Sequence, residues 1–499
     1  MPGTDFEPEG REFESLRARD FVDCEESVNY PCSSDAHCAL RAVALALLAG
    51  FACGCVTRRS VPPPPAVPPA FEHGVTAAKD TWPAQDWYRG FGSTELESFV
   101  DLAVRENADL VQARERVTQA DARARQAGAA ILPSVDGQVG GTFLAGHSSQ
   151  GSGHEFDRSA MLSASYEVDF WGKNHATANA ARLSADASRA ERDALALTLL
   201  AGVADQYFEV LTLRERSAIA RANCAAVQKV LEAVQARFEA GFASPTELAT
   251  QRAALDAAQL ATADLAEQEL AARAALALLL GRAPEGFDVH GTTLESLHEP
   301  VVGAGLPSEL LTRRPDLVVA EANLRAASAN LAAARAALFP SLSLTAAGGI
   351  QNPALPATVL TIGGTGPSFS LAANLMQPIF NHGKLRAARD EAAAHERELL
   401  AAYRAAILAA LTDVEKALAR LERLDLIRTF ESDNVAQSER AFDGAQLRYR
   451  AGSGDYLTLL EAQRTLYAAR DQAAQYRLAR LEARVMLVKA LGGGWTAGW

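Results

Sequence analysis

The chain states one unit twice. NADLVQARERVTQADARARQAGAAILP (Asn107–Pro133) is echoed by RPDLVVAEANLRAASANLAAARAALFP (Arg314–Pro340), so Asp109 and Asp316, like Pro133 and Pro340, stand 207 residues apart. FWGK (Phe170–Lys173) is echoed by FNHGK (Phe380–Lys384), and the pairs Gly172/Gly383, Gly241/Gly452 and Gly281/Gly492 stand 211 residues apart. The offset holds, changes by four residues in one segment, then holds again. A duplication with a four-residue difference in one loop explains this. The fold must therefore be two copies of one unit, at 93–290 and 307–491, with a connector at 291–306 and a tail at 492–499.

Each copy reads helix, two strands, long helix, turn, helix. Pro133 and Pro340 mark helix–strand transitions, because proline cannot continue a helix and biases its predecessor toward extended geometry. Strict alternation follows. Val135, Gly137, Val139, Gly141 and Phe143 share one face, and Asp136, Gln138, Gly140 and Thr142 the other. The return strand sets Leu162, Ala164, Tyr166, Val168 and Phe170 against Ser163, Ser165, Glu167 and Asp169. Copy two sets Phe369, Leu371, Ala373 and Leu375 against Ser368, Ser370, Ala372 and Asn374. This period of two gives strands with one apolar face and one polar face. Between them, GHSSQGSGHEFD (Gly146–Asp157) and QNPALPATVLTIGGTGP (Gln351–Pro367) read as exposed loops.

The long helices are expected from Lys173 to about Ala240 and from Lys384 to about Ala451. At ~1.5 Å per residue each is about 100 Å long, more than a single globular core needs. Ile407, Leu411, Val414, Leu418 and Leu421 form a coiled-coil seam, as do Leu478, Leu481, Val485 and Val488. The surrounding positions are largely alanine, which suits a curved wall of helices. Each long helix ends in the same turn, RFEAGFASPTEL (Arg237–Leu248) and RYRAGSGDYLTL (Arg448–Leu459). Gly241 and Gly452 suit the left-handed position after a helix, and Ser244 and Asp455 suit N-caps of the next. Arg237 and Arg448 have two readings. Each either contacts another helix or a partner protein, or complements the charge of its helix C-terminus.

The net charge of −13 argues against a nucleic-acid partner. More than half of it, −7, falls in residues 1–40. Next comes CALRAVALALLAGFACGCV (Cys38–Val56), with the length of a signal-peptide core and too short for a spanning helix. Small residues before Cys55 resemble a lipoprotein cleavage site, with Cys53 as the second candidate. Residues 1–54 are thus expected to be absent from the mature protein, and a signal core this far from Met1 suggests a later translation start. Cleavage leaves Cys55 and a lone Cys224, so no disulfide framework is expected. Residues 55–92 read as lipid anchor and linker, stiffened by VPPPPAVPP (Val61–Pro69).

Four amphipathic strands cannot close a membrane barrel alone, since an open edge in lipid leaves unpaired backbone groups. Either the strands form a small soluble sheet, or several chains pool them. YEVDFWGK (Tyr166–Lys173), LPSELLTRRPDLVVAEANL (Leu306–Leu324), LFPSLSL (Leu338–Leu344), GPSFSL (Gly366–Leu371), PIFNHGKLRAA (Pro378–Ala388) and YLTLLEAQRTLYAAR (Tyr456–Arg470) bear on that choice. In these stretches the chain resembles the TolC-like outer-membrane efflux channels, in the lipoprotein branch serving resistance-nodulation-division pumps.

The resemblance implies a mainly α protein with a membrane β-barrel part. It would be a homotrimer with an α-helical periplasmic barrel and a 12-stranded outer-membrane barrel, four strands per chain. An equatorial region built from Gly281–Leu306 and the tail beyond Leu491 would girdle the tunnel. It implies a passive export duct for small molecules, lipid-anchored in the outer membrane and coupled through a periplasmic adaptor to a proton-driven inner-membrane pump. The two turns would be the adaptor-docking tips. Glu461 would ring the narrowest aperture, Thr458 stands where relatives carry a second acid, and Tyr449 matches a tyrosine of the closing network. Gly454 stands where some relatives carry a basic partner. Glu167 and Asp169 are read as lining the barrel lumen. A protein-secretion duct and a periplasmic coiled-coil scaffold remain alternatives.

Catalysis finds no support in the sequence. No histidine or nucleophile pattern accompanies Glu167 and Asp169. His147 and His154 fit no metal template, HERE at His395 lacks the second histidine of a zinc-hydrolase helix, and GGTGPS (Gly363–Ser368) lacks the Lys-Ser/Thr of a phosphate loop. The expectation is no enzyme, no cofactor and no metal.

Overall fold

The duplication is visible in the lengths of the elements. The computed structural model describes residues 68–73, 82–148, 151–303, 305, 307–351 and 366–495. The first unit contains α1 (Thr94–Glu106), α2 (Ala108–Ala129), β1 (Ser134–Ser148), β2 (Gly151–Val168), α3 (Lys173–Glu239) and α4 (Pro245–Leu279). The second contains α5 (Leu310–Arg313), α6 (Pro315–Ala336), β3 (Ser341–Gln351), β4 (Gly366–Met376), α7 (Lys384–Arg450) and α8 (Tyr456–Ala490). Helices α2 and α6 have 22 residues each, α3 and α7 have 67, and α4 and α8 have 35. The expected single loop with four extra residues is instead divided. Four residues separate Val168 from Lys173 and seven separate Met376 from Lys384, so three of the four lie between β4 and α7.

The strands begin directly after Pro133 and Pro340, where a residue without an N–H costs the ladder nothing. They form one antiparallel sheet in the order β1-β2-β3-β4. Its register aligns the alternating faces across all four strands. Val139 pairs with Ala160, which pairs with Ile350, and Gly137–Leu162–Gly348–Phe369 runs across the whole sheet. Val135, Val139, Leu162, Ile350, Phe369, Leu371 and Leu375 are all exposed on this face. The opposite face carries Glu167, Ser343 and Asn374 in one row, and Asp136 beside Ser163. The reading of Gly146–Asp157 as loop is corrected. Strands β1 and β2 continue to Ser148 and from Gly151, because glycine and serine here extend an existing hairpin ladder. Most of the second loop, 352–365, lies outside the described residues.

The helices form a wall. Near the sheet, α3 lies between α2 and α6; toward its far end it lies between α4 and α8. Helix α7 packs on α6 and α8. Small alanines such as Ala180, Ala187, Ala201 and Ala204 are buried along α3 and allow these close approaches. By composition α3 could cross a membrane, but 61% of that apolar window is buried in the chain. The expected seams hold: Ile407, Val414, Leu418 and Leu421, and Leu481, Val485 and Val488, are buried.

The largest core sits at the equator, where Phe91, Leu96, Phe208, Leu211, Leu276, Leu280 and Val485 meet. Each such side chain contributes about 1.5–3 kcal/mol on burial. Trp87 and Phe91 belong to this core, so the end of the segment read as linker is part of the folded body. Upstream, the backbone N–H groups of Glu72 and His73 donate to the Glu415 carboxylate at 2.7 and 3.2 Å. At the other end, the Trp495 indole is buried and donates to Asp193 at 2.9 Å. Cys53, Cys55 and residues 1–54 lie outside the described residues.

Candidate functional site

The two turns end their helices with the same hydrogen bonds. Phe242 N–H donates to the Arg237 carbonyl at 2.8 Å and Gly241 N–H to the Phe238 carbonyl at 3.0 Å. In the second turn Ser453 donates to Arg448 at 3.0 Å and Gly452 to Tyr449 at 3.1 Å. Both are Schellman closures, and they require the left-handed φ of +81° at Gly241 and +73° at Gly452. Ser244 then accepts from Glu247 N–H at 3.1 Å, and Asp455 from Thr458 N–H at 2.8 Å, each capping the next helix.

The two arginines differ. The Arg237 guanidinium lies 4.7 Å from the centre of the Tyr449 ring and donates to the Tyr449 carbonyl at 3.1 Å. It ties the first tip to the second. Arg448 is exposed and makes no hydrogen bond or ion pair through its side chain among the described residues. A cationic partner for Tyr449 therefore comes from the first tip, not from position 454. A Cβ at Gly454 would lie 3.0 Å from the Arg448 Cβ and 3.1 Å from the Tyr449 nitrogen, so this turn has little room for a side chain there.

Tyr449 is buried with no partner for its hydroxyl among the described residues, and burial pushes its phenol up. Beneath it the Tyr456 hydroxyl donates to the buried Gln251 amide at 2.8 Å, and Gln251 donates to the Val227 carbonyl at 3.0 Å. This polar relay was not evident in sequence, where Gln251 looks like any helix-surface glutamine. Glu461 is exposed one turn above. Thr458 is held by the cap, its hydroxyl donating to Asp455 at 2.6 Å. That bond, followed by the Thr458 N–H, holds the Asp455 carboxyl below the ordinary carboxylate range.

At the sheet end, Glu167 lies on the polar face and pairs with Lys173 at 2.5 Å. Asp169 is not on that face. It stands one residue beyond β2, where its nearly buried carboxylate accepts from His175 N–H at 2.8 Å and contacts the His175 ring. Pro340 has an additional role, since its carbonyl accepts from the Trp171 indole at 2.8 Å while Trp171 stacks on Phe339.

A pair of equatorial clasps repeats with the duplication. Asn107 donates to the Leu279 carbonyl at 2.9 Å, and Arg314, at the equivalent position, donates to the Ala490 carbonyl at 3.1 Å. Beside each clasp a glycine sits against backbone. A Cβ at Gly281 would fall 2.4 Å from the Glu106 carbonyl oxygen, and one at Gly492 2.1 Å from that of Arg313. Arg314 is buried and held by Asp316 at 2.7 Å and Asp413 at 3.3 Å. The sequence signal was present, as the residue two before Asp109 and Asp316 in each copy. Between α3 and α8, Asp205 is pushed up to about 7, first by burial and then by Glu482. Burial also raises Glu209 and Glu482.

A sheet with one exposed apolar face, continued by a helical wall closed at paired tips, defines a membrane-seated helical duct. The sequence profile of the outer membrane efflux proteins matches residues 99–282 and 306–493, the two repeats, and the chain belongs to this family. It is 42% identical over 440 residues to the pyoverdine export outer membrane protein OpmQ of Pseudomonas aeruginosa, covering 86% of this chain and 92% of that protein. It is 29% identical over 430 residues to the cation efflux system protein CusC of Escherichia coli O6:H1, covering 85% and 91%. The open state of the Neisseria gonorrhoeae MtrE channel superposes with a TM-score of 0.76 at 30% identity, covering 86% of this chain and 96% of that one. The Campylobacter jejuni CmeC channel shares the fold, with a TM-score of 0.78 at 22% identity over 86% and 92%. The protein is therefore an outer-membrane channel component of an efflux system, with its helical part in the periplasm. Members of this family are transport ducts.

Proposed function

We propose that three copies of the chain form a lipid-anchored duct through which a tripartite system exports small molecules. The observation that carries this reading is the exposed apolar face of the sheet from Val135 to Val139 and across Leu162, Ile350, Phe369 and Leu375, with β1 and β4 as open edges among the described residues. An open edge in lipid would leave several backbone groups unpaired, so the edges must meet other copies. Cys55 is the proposed lipidation site. Repeats 93–290 and 307–491, the connector 291–306 and the tail 492–499 keep the boundaries read from sequence.

The tips are proposed to meet the adaptor, with Gly241, Gly452, Ser244 and Asp455 shaping the turns. Exposed Arg448 is the stronger candidate for that contact, since Arg237 is already engaged with Tyr449. Glu461 from each copy would place negative charge around the aperture and favour cations there. Tyr449 would close the tip and Thr458 would hold the cap. Glu167 is proposed to face the barrel lumen and Asp169 to fix the turn beneath it. A proton-driven inner-membrane pump would supply the energy.

The likeness to pyoverdine export proteins at 42% and 41% identity supports a pyoverdine-like compound as the first cargo to test. A deletion strain should secrete less of a pyoverdine-like compound or lose tolerance to some of a panel of antibiotics, detergents, metals and aromatic acids. Unchanged secretion and tolerance throughout would refute the export reading. Purified protein should run as a trimer in detergent.

A further inference from the structure

Where α8 meets the α3–α4 hairpin, about two helical turns along α8 from Tyr456, lies a cavity of about 190 Å³. Ala220 and Val227 line it on α3, Ala254 and Ala258 on α4, and Gln463 and Tyr467 on α8. Its walls are mostly methyl groups, and Gln463 is the exception. This side chain is only 4% exposed, yet neither its amide nitrogen nor its amide oxygen has a hydrogen-bond partner among the described residues. A buried polar group left unpaired is costly, so the few that natural proteins keep call for an occupant or a function. The duplication does not account for it. The duplicates of Ala220 and Gln463 are Glu431 and Arg252, so this composition belongs to one junction of the chain.

We propose that this cavity binds a small neutral aromatic molecule carrying a primary amide or a hydroxyl, of the size of benzamide or phenol, and that the bound ring braces α8 against the α3–α4 hairpin. The room suits one ring, since an apolar cavity of about 150 Å³ takes up benzene. The alanine methyls suit its apolar surface. The Gln463 amide presents a donor and an acceptor side by side, which a ligand amide meets with its own C=O and N–H. Water bound there would satisfy the amide but leave the methyls wet. A carboxylate would leave the Gln463 oxygen unpaired and lose its own hydration. Asn223 and the exposed Arg464 also border the cavity, so benzoate is the charged control. The brace follows from Val227. Its side chain lines the cavity, and its carbonyl accepts from Gln251, which in turn accepts from Tyr456. An occupant therefore stiffens the wall from which the tip relay hangs.

The test is calorimetric titration of full-length protein in detergent with benzamide, toluene and benzoate. Benzamide should bind saturably, one per chain, and the other two more weakly. Gln463→Leu keeps the bulk of the side chain and removes its amide. It should weaken benzamide about tenfold, the loss of two neutral hydrogen bonds, and leave toluene unchanged. Ala258→Leu grows a branched side chain into the cavity and should abolish binding of both. The melting temperature of Gln463→Leu, expected at or above that of wild type, checks that the fold is intact. If that variant fails to fold, Ala258→Leu still decides. Hydrogen exchange at residues 456–466 should slow several-fold when benzamide is bound. No saturable binding by wild type means a cavity that holds water only and overturns the site. Benzamide binding untouched by both substitutions places it elsewhere and also overturns the site. Benzoate binding more tightly than benzamide overturns the neutral ligand, and binding without slower exchange overturns the brace.

Discussion

Replacing Arg237 by alanine removes a contact between two tips and nothing at the sheet. The guanidinium stacks on Tyr449 at 4.7 Å and donates to the Tyr449 carbonyl at 3.1 Å. A half-exposed cation–π contact is worth about 1 kcal/mol and a hydrogen bond from a charged donor about 1.5–3 kcal/mol before solvent screening. Discounting for water at the tip, the net loss is about 1–2 kcal/mol, a factor of roughly 5–30 in local opening. Hydrogen exchange followed by mass spectrometry should show that acceleration at residues 445–456, although the substitution is at 237. Arg448→Ala should leave those amides unchanged and weaken adaptor binding. Arg237→Lys should fall between, since a point charge stacks less well than a planar fork. If Arg237→Ala accelerates exchange only around its own turn, residues 235–242, the tips are not coupled and the reasoning fails.

Arg314→Ala should lower accumulation of the protein, because it removes a charged donor to the Ala490 carbonyl, about 1.5–3 kcal/mol, and leaves the half-exposed Asp316 and Asp413 to water; immunoblots of membrane fractions would show it. Leu371→Arg on the apolar sheet face should cost about 2–4 kcal/mol at mid-bilayer depth, whereas Ser370→Arg on the polar face should cost little; membrane insertion yield distinguishes them. Asp205 provides a pH test. Its folded value of about 7 lies above the ordinary 3.8, so its contribution is fully present below that ordinary value and is lost as pH rises through about 7. Asp205→Asn should raise the melting temperature at pH 8 and flatten its pH dependence between these values.

Much of this fold was legible because two periodicities and one offset agreed. The alternation at Val135–Phe143 and Leu162–Val168 specified the sheet faces, and the repeated glycines specified the helix ends. What stayed hidden depends on neighbours. Comparing copies makes Arg237 and Arg448 look equivalent, yet it is Arg237 whose guanidinium stacks on the Tyr449 ring. Alternation carried Asp169 one residue too far, since a helix cap took its side chain. Composition made 82–92 read as linker, although Trp87 and Phe91 insert between helices distant in sequence. The Gly/Ser content of 146–157 outweighed its strand register, which only the facing partner enforces.

The equal lengths of the repeats have a mechanical consequence. Two struts of 67 residues, each returning through 35, set both tips at one height above the equatorial clasps. Adding four residues to α7 alone would lift its tip by about 6 Å and cant the rim. A partner seated on a level rim would then touch alternate tips only. Length changes in this chain should survive only in matched sets of four, one for each helix of both hairpins, so the rim acts as a ruler that each repeat reads from the other.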